Sequence, residues 1–490
     1  MPIKRYGIYF LFFAIISVPI FSHLDANPLM LWDESRLANS AIEMSHNNNW
    51  LIPMMDGQPD MWSTKPPFMI WMQVLAIRTI GTNELATRLP SALAALGTCL
   101  MIFFFFLKKY KEPIPGMISV LILVTTRGYM AIHGIRTGDY DSLLTMFMTG
   151  YVLFYFLYLD QNKRKYLYIT FLFLIAAGLT KGVQSLIFLP ALLLYAVYKR
   201  KLLWLLKKVD LYIGIVLVLV FVVGYYLLRE HYNPGYIAAV RQNELGGRFS
   251  DVIEDHKGDI WYYYEAMVDK LYFNWYILII PGIITGFLYK DKGIRDIFVF
   301  SLIVVFSYLL FISWAMTKLD WYLLPIYPFL AIIAGLFLYV LYRMLMNTTG
   351  WQKYLSYNAL PGIFLFLTFI VPYRSTIASV EARSYDQGME PWRIDLKVML
   401  KDMLHHEHYM GKCQILNDNI SQDLNWYYKA FRNENMRVSL VEFASIDPNG
   451  KLVVAKPRSK KVIDSLYNSR KIDSCGQAIV YELSGKKKLN

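Results

Sequence analysis

Charged residues and cysteines are both scarce in this chain of 490 residues. Only 18% of the residues are charged, which excludes an ordinary soluble domain of this length. The three cysteines leave room for one disulfide bond in the polar C-terminal tail, between Cys413 and Cys475, if that tail faces an oxidising compartment. The sequence also lacks a glycine-rich phosphate loop of the P-loop or Rossmann kind, which argues against nucleotide-driven chemistry.

Apolar residues take the place of the missing charges. They make up 56% of the chain, and many of the apolar runs approach the ~20 residues that a helix needs to cross a bilayer. The pattern therefore predicts an α-helical polytopic membrane protein rather than a barrel of short alternating strands. The runs include residues 6–24, 89–107, 114–132, 143–159, 211–228, 298–311, 323–345 and 359–371.

The net charge of +13 does not indicate a nucleic-acid partner, because the basic residues cluster in short loops between apolar runs, as topology signals do. With a cytoplasmic N-terminus, every such basic loop falls on the inner side. The apolar segment 68–80 is too short to cross and is interpreted as an interfacial or re-entrant helix. This parity predicts about eleven spans, within a range of eleven to thirteen.

The same parity predicts the domain organisation. A transmembrane domain covers residues 1–372 and includes a first outer loop at 25–88 and a long outer loop at 229–271. A soluble α/β domain at 373–490 lies on the outer face. Its β-branched runs at 438–443, 452–455 and 478–483 predict strands, and residues 423–432 and 461–468 predict helices.

The unusual polar residues converge on the outer face under this topology. A carboxylate there would position or deprotonate an acceptor, and cations would hold a phosphate and stabilise it as it leaves. A phosphate at the mouth of a bilayer cavity indicates a lipid phosphate. Glycosyl transfer from a lipid-phosphate sugar would use the carboxylate, the cations and the membrane position together. The residues concerned are Asp33, Glu34, Arg36, Lys65, Arg136, Asp139, Asp141, Lys181, Arg241, Arg248, Lys318 and Tyr322.

The first of these motifs also have structural explanations. Asp33 and Glu34 would favour the N-terminus of a helix as an acidic pair. Lys65 precedes Pro66 and Pro67, which end one element before the next helix whether or not the lysine has a chemical role.

Structural explanations also exist for the motifs that follow. Interfacial charge at the start of a span would account for Asp139 and Asp141, and Lys181 could place its ammonium at the interface by snorkelling. The run at 405–408, His-His-Glu-His, could bind a metal, but a solvated helix end explains it better, since no further ligands occur at known spacing. No metal ligand is therefore assigned.

A set of short motifs resembles the GT-C glycosyltransferases of the ArnT and protein O-mannosyltransferase superfamily. The resemblance covers roughly residues 5–345, and its strength comes from the order and position of the motifs together. They are Trp32-Asp33-Glu34-Ser35-Arg36, Lys65-Pro66-Pro67-Phe68 with Trp71, Asn83-Glu84 with Arg88-Leu89-Pro90-Ser91, Arg136-Thr137-Gly138-Asp139-Tyr140-Asp141, Gly178-Leu179-Thr180-Lys181-Gly182 and Lys318-Leu319-Asp320-Trp321-Tyr322-Leu323-Leu324-Pro325.

The resemblance implies an inverting glycosyltransferase that uses a polyprenyl (bacterial undecaprenyl) phosphate sugar on the outer face. By motif, Asp33 resembles the essential first-loop aspartate, with Glu34 as its support. Asp141 resembles the second acidic residue, with Asp139 as the alternative. The candidates for contact with the carrier phosphate or its surroundings are Lys65, Arg36, Arg248, Lys181, Lys318 and Tyr322.

One position departs from the pattern. Related sequences often have Glu-Lys-Pro-Pro, whose glutamate helps to bind zinc, whereas this chain has Thr64. A divalent metal is therefore not assigned. The expected partners are the donor, membrane lipids and an acceptor such as lipid A, another glycan or a protein, and no nucleic acid. A transporter or flippase for anionic lipids is the alternative function, although no pair of similar halves with broken helices supports it.

Overall fold

The computed structural model describes residues 2–247, 257–347, 359–382, 389–406, 413–418 and 421–487, most of them helical. The helices are Pro2–Phe21, Asp33–Asn47, Phe68–Ile80, Glu84–Tyr110, Ile114–Val124, Arg127–Met130, Tyr140–Gln161, Arg164–Lys181, Leu189–Tyr198, Leu202–Leu206, Val209–Val218, Gly224–Tyr232, Tyr236–Val240, Tyr262–Ala266, Ile279–Leu288, Lys292–Trp314, Tyr327–Asn347, Ala359–Glu381, Pro391–His405, Gln422–Asn433 and Pro457–Leu466. Short 3-10 or π-helical turns lie at Gly182–Leu186, Leu219–Val223, Arg241–Gly247, Met267–Leu271, Tyr276–Leu278, Asp320–Ile326 and Phe443–Ser445.

Each predicted span corresponds to an apolar helix or helix pair, and the chain is a multi-pass membrane protein as predicted. Among the described residues, seven helices are long and apolar enough to cross a membrane. The pair Tyr262–Leu271 and Tyr276–Leu288, bent by 117°, would make an eighth. Three other predicted spans are shorter helices, Tyr6–Phe21, Ile114–Val124 and Leu189–Tyr198. The predicted count of eleven is therefore reached only when these short helices are included.

The prediction of a continuous span at 114–132 is wrong in its extent. The helix ends at Val124, where the hydroxyl of Thr125 donates to the carbonyl of Leu121 at 2.6 Å. A threonine that bonds to the backbone of its own helix competes with the regular hydrogen-bond pattern. A separate short helix, Arg127–Met130, follows.

Contacts within the chain divide it into two compact units, and both are built from separate segments. The first, here called the membrane unit, comprises Met1–Ser22, Met61–Met69 and Ser91–Ala382. The second, called the loop–tail unit, comprises His23–Asp60, Ile70–Pro90 and Arg383–Asn490. Much of the first outer loop thus groups with the tail, so the domain boundary at 372 stays a prediction.

Small residues allow close helix packing in the membrane unit. A Cβ atom on Gly178 would lie 2.7 Å from Val222, and one on Gly214 would lie 1.9 Å from the ring of Phe171. Close backbone approach at small residues is a common way for membrane helices to associate. Just beyond the helix that carries Gly178, Gly182 has φ +54°, and a Cβ atom there would lie 2.3 Å from the hydroxyl of Tyr226.

The tail of the loop–tail unit contains a mixed five-stranded sheet. Its strands are β3 (Cys413–Leu416), β4 (Val438–Val441), β5 (Lys451–Val454), β6 (Tyr467–Cys475) and β7 (Ala478–Lys486), in the order β4-β3-β5-β7-β6. Strand β3 is parallel to β4 and β5, and β7 is antiparallel to β5 and β6. A separate small hairpin, β1 (Met54–Met55) with β2 (Gln58–Pro59), lies in the first outer loop. The apolar core of the sheet includes Leu416, Val441, Leu452, Val454, Ile463, Tyr467, Tyr481 and Leu483.

The tail helix Gln422–Asn433 anchors the first outer loop. The hydroxyl of Tyr427 donates to Glu84 at 2.7 Å and accepts from the backbone N–H of Leu29 at 3.2 Å. The ammonium of Lys429 lies 2.5 Å from Glu43. Hydrogen bonds to buried groups of this kind fix the register of two segments that are far apart in sequence.

The predicted α/β character of the tail is confirmed. Strands β4, β5 and β7 and the two predicted helices lie where the sequence indicates, within a few residues. The sequence analysis missed β3, β6 and the helix Pro391–His405. Strand β6 has an exposed, polar pattern, so it lacks the hydrophobic alternation on which strand prediction depends.

The structure does not contain the disulfide that the sequence left open. Cys413 begins β3 and Cys475 ends β6, and no disulfide joins them. Two strands, β5 and β7, lie between these strands in the sheet. Strands three places apart are separated by about 14 Å, whereas bridged cysteines have Cα atoms within about 7 Å.

The contact between His405 and Glu84 should make the stability of the loop–tail unit depend on pH. The hydrogen bond between them, 2.7 Å long, raises the pKa of His405 above its usual value of 6.5. This contribution to stability is complete below pH 6.5 and is lost as the pH rises through the raised pKa. We therefore expect His405→Gln to lower the thermal unfolding temperature more at about pH 5.5 than at about pH 9. A loss of equal size at both pH values, or an equal pH dependence for His406→Gln, would contradict this assignment.

Candidate active site

The backbone of the segment that carries Lys65 is fixed by two side chains of the membrane unit. The guanidinium of Arg229 donates to the carbonyl of Ser63 at 2.8 Å, and the hydroxyl of Tyr236 donates to the carbonyl of Thr64 at 2.7 Å. Arg229 is fully buried and lies 3.8 Å from the centre of the Tyr236 ring. The lysine therefore projects from a rigid turn, as the prolines after it suggest.

The Lys65 ammonium lies among an aromatic ring and a carboxylate. It is 3.2 Å from an oxygen of Glu244 and 5.5 Å from the centre of the Tyr140 ring. The hydroxyl of Thr64 donates to the same oxygen of Glu244 at 2.8 Å. The Lys65 side chain is 17% exposed, so the cation is mostly but not completely removed from water.

Asp141 and Lys181 form a buried ion pair next to this lysine. Their charged atoms are 2.6 Å apart, and both side chains are less than a tenth exposed. Asp141 lies in the first turn of its helix, where a negative charge is stabilised, and the Lys181 ammonium lies 5.7 Å from the centre of the Tyr322 ring. A Cβ atom on Gly182, the residue after Lys181, would lie 3.8 Å from Pro66, the residue after Lys65. Four predicted residues therefore lie on neighbouring segments and form one cluster in the membrane unit: Lys65, Asp141, Lys181 and Tyr322.

Asp139 has a different partner from Asp141. One of its oxygens lies 2.7 Å from Nδ1 of His133 and accepts a hydrogen bond from Thr137 at 3.1 Å. The imidazole of His133 stacks on the ring of Trp321, with centroids 3.8 Å apart. The sequence analysis missed His133, because a single histidine in a short loop has no spacing signal.

Lys318 caps a helix in the structure. Its ammonium donates to the carbonyls of Ile312, Ser313 and Ala315 at 3.2, 2.5 and 2.7 Å, at the end of the helix Lys292–Trp314. A cation in this position is favoured by the helix dipole. Burial lowers the pKa of Lys318 from its usual value. These contacts favour a structural role, so Lys318 does not enter the proposed site.

In the loop–tail unit, Glu34 is bound to Arg88. The guanidinium of Arg88 donates to both carboxylate oxygens of Glu34 at 2.7 and 2.9 Å, and both side chains are almost completely buried. Arg88 also donates to the carbonyls of Leu24, Asn27 and Pro28 at 2.8 to 2.9 Å. Glu34 thereby fixes the loop before the first-loop helix, and this role is structural rather than chemical.

Asp33 and Arg36 lie on the same first-loop helix, Asp33–Asn47. Asp33 is its first residue and is partly exposed, after Trp32 at φ +70°. The guanidinium of Arg36 lies 2.6 Å from Asp60. A positive φ at a bulky residue is strained, and the contacts of Arg88 hold the preceding loop in place against this strain. Arg248, a further predicted phosphate ligand, lies outside the described residues.

The residues around Thr64 do not fit a divalent metal. The hydroxyl of Thr64 is used as a donor to Glu244, and the Lys65 ammonium lies at the same carboxylate oxygen. A metal cation at this carboxylate would repel that ammonium. No step of the proposed reaction therefore depends on a metal at this position.

Comparisons with known proteins agree with this architecture. The family described as dolichyl-phosphate-mannose-protein mannosyltransferase matches residues 64–226. The structure of ArnT from Cupriavidus metallidurans bound to undecaprenyl phosphate superposes with a TM-score of 0.68 at 16% identity, over 97% of this chain and 98% of that chain. The chain therefore shares the fold of ArnT, and part of its sequence is similar to the mannosyltransferase family.

Other relatives extend the comparison. The undecaprenyl phosphate-alpha-4-amino-4-deoxy-L-arabinose arabinosyl transferase of Aeromonas hydrophila subsp. hydrophila is 27% identical over 336 residues, 66% of this chain and 58% of that protein. This chain thus spans less than two thirds of the length of that relative. The oligosaccharyltransferase of Archaeoglobus fulgidus, tethered with an acceptor peptide, gives a TM-score of 0.52 at 12% identity, over 97% of this chain and 73% of that chain. The two structural similarities, to ArnT and to the oligosaccharyltransferase, concern the fold alone.

The ion pair of Glu34 and Arg88 predicts that substitutions at the neighbouring residues Glu34 and Asp33 differ in their effect on stability. Glu34→Ala leaves a buried guanidinium without its carboxylate and should lower the free energy of unfolding by roughly 3–5 kcal/mol. Asp33→Asn, one residue earlier and partly exposed, should change it by less than about 1 kcal/mol. Denaturant or thermal unfolding of the purified protein would measure both. The double variant Glu34→Leu, Arg88→Met should lose less stability than the sum of the two single variants, because the double variant leaves no unpaired charge. Equal losses for Glu34→Ala and Asp33→Asn would contradict the assignment.

Proposed function

We propose that this chain transfers a sugar, with inversion, from a polyprenyl phosphate carrier to an acceptor of the cell envelope. The observation that carries this proposal is the cluster of Lys65, Asp141, Lys181 and Tyr322 in the membrane unit. Two ammonium groups at one place favour a phosphate. The name of the Aeromonas relative supports the carrier class, because it specifies undecaprenyl phosphate.

The chemistry of the leaving group explains why cations are needed. In the reaction, the bond between the anomeric carbon and the carrier phosphate oxygen breaks, and its electron pair stays with the phosphate. Lys65 would stabilise the negative charge that develops on that oxygen. Asp141 holds the Lys181 ammonium 2.6 Å away and thereby fixes its position, which makes Asp141 a positioning residue in this proposal.

Asp33 is proposed as the residue that deprotonates or orients the acceptor, because its motif resembles that of the essential first-loop aspartate. The acceptor oxygen forms the new bond to the anomeric carbon, and a hydroxyl acceptor gives its proton to the Asp33 carboxylate. An acceptor that is itself a phosphate needs little deprotonation, and Asp33 would then orient it. Glu34 has no direct chemical role in the proposal, because Arg88 binds both of its carboxylate oxygens. Arg36, which pairs with Asp60, is assigned no role.

The proposal places the reaction at the inner membrane, on the periplasmic face. The support is the charge pattern, because the short basic loops all fall on the other side under a cytoplasmic N-terminus. Lipid A, another envelope glycan and a protein are the acceptor classes that a transfer assay should compare. The same assay, with a panel of undecaprenyl phosphate sugars as donors, would identify the sugar that is transferred.

Lys65→Ala tests the phosphate contact. We expect the affinity for undecaprenyl phosphate to fall by roughly ten- to a hundredfold, because a hydrogen bond to a charged group contributes about 1.5–3 kcal/mol. Binding would be measured with the purified protein in nanodiscs. Lys270→Ala removes a lysine that is 61% exposed and pairs with Asp320, and should leave the affinity unchanged. Equal effects of the two substitutions would contradict a specific phosphate site at Lys65.

Asp33→Asn tests the role of Asp33 towards the acceptor. We expect the transfer rate to fall by about a hundredfold or more, since general-base catalysis contributes 10²–10⁴-fold, while undecaprenyl phosphate binds as before. Transfer would be followed as glycosylated product from a radiolabelled donor. Full transfer by Asp33→Asn would remove this residue from the mechanism. Carrier movement across vesicles without any glycosylated product would favour the transporter alternative.

A further inference from the structure

Lys65 already has an anionic partner within the protein. An oxygen of Glu244 lies 3.2 Å from its ammonium, and the hydroxyl of Thr64 donates to that same oxygen at 2.8 Å. Both charged side chains are mostly buried, with 17% of Lys65 and 10% of Glu244 exposed. A carboxylate therefore occupies one of the positions around the ammonium that a phosphate oxygen would take.

The carboxylate and a carrier phosphate compete for the same cation. Both groups are negatively charged, and two anions that share one ammonium repel each other strongly where water is largely excluded. A phosphate can therefore bind closely to Lys65 only when Glu244 moves away or loses its charge.

The backbone that carries Lys65 is held by contacts other than Glu244. Arg229 donates to the carbonyl of Ser63, and Tyr236 donates to the carbonyl of Thr64. Neither of these hydrogen bonds involves Glu244. The carboxylate lies in the π-helical turn Arg241–Gly247, whose last two residues are glycines, and glycine gives a backbone more conformational freedom than any other residue.

From this arrangement we infer that Glu244 is a placeholder for the carrier phosphate: it neutralises Lys65 in the ligand-free protein and is displaced when the phosphate binds. The inference rests on the proposed function, since it concerns the same lysine. It makes Glu244 a positioning residue that sets the affinity for the carrier. Because displacement of Glu244 costs free energy, removing its charge should tighten binding instead of weakening it.

Glu244→Gln tests the inference with undecaprenyl phosphate as the probe and the full-length protein in nanodiscs. The amide still accepts a hydrogen bond from Thr64 but carries no charge. We expect the affinity to rise by about three- to tenfold, the range of a partly buried ion pair that no longer has to be broken. Binding of undecaprenol, which lacks the phosphate, should not change. Glu265→Gln, at an exposed position in the same outer loop, is the matched control and should have no effect.

A second variant keeps the test valid if Glu244→Gln does not fold. Thr64→Val removes the hydroxyl that holds the carboxylate and should raise the affinity for undecaprenyl phosphate by a smaller factor. Unchanged or weaker binding by Glu244→Gln would overturn the inference, and the same result for Thr64→Val would do so if only that variant folds. The proposed function would still stand if Lys65→Ala loses binding. If wild-type protein and Lys65→Ala bind the probe equally, the proposed function itself fails. Tighter binding of undecaprenol as well would show a general effect on the lipid chain and would also overturn the inference.

Discussion

The buried guanidinium of Arg88 is the contact on which the first outer loop depends. A charge that is removed from water has to be neutralised and hydrogen-bonded, and Arg88 meets both needs with Glu34 and three backbone carbonyls. The same rule holds elsewhere in each unit. Asp141 is paired with Lys181 at 2.6 Å, and Asp423 with Lys397 at 2.9 Å. These buried charges are therefore satisfied within the protein.

This rule separates charges that the fold uses from charges that a ligand can use. Glu34 and Lys318 are surrounded by protein donors or acceptors on several sides, so their chemistry is taken up by the structure. Lys65 and Lys181 each lie between one carboxylate and the face of one aromatic ring. An aromatic face attracts a cation without neutralising it, so the carboxylate beside each ammonium is the negative charge that a phosphate would have to replace or share.

Local patterns explain what the sequence could predict. The spans follow from apolar length, and the tail helices and three of its strands follow from hydrophobic periodicity. The roles of individual charges depended on partners that are distant in sequence. Glu34 is separated by 54 residues from Arg88, and Thr64 by 180 residues from Glu244, and no local pattern connects such positions. The motif resemblance named Lys65, Asp141, Lys181 and Tyr322 as site candidates, but it did not connect Glu34 with Arg88.

The composition of the loop–tail unit has a consequence for how the protein is made. Its first segments, His23–Asp60 and Ile70–Pro90, leave the ribosome long before Arg383–Asn490 is synthesised. The side chains of Tyr427 and Lys429, which hold the first outer loop, therefore arrive only after nearly all the helices of the membrane unit have been made. The loop that carries Asp33 stays incomplete during most of translation. A chain that is cut short before Gln422 would lack the side chains of Tyr427 and Lys429 that hold this loop.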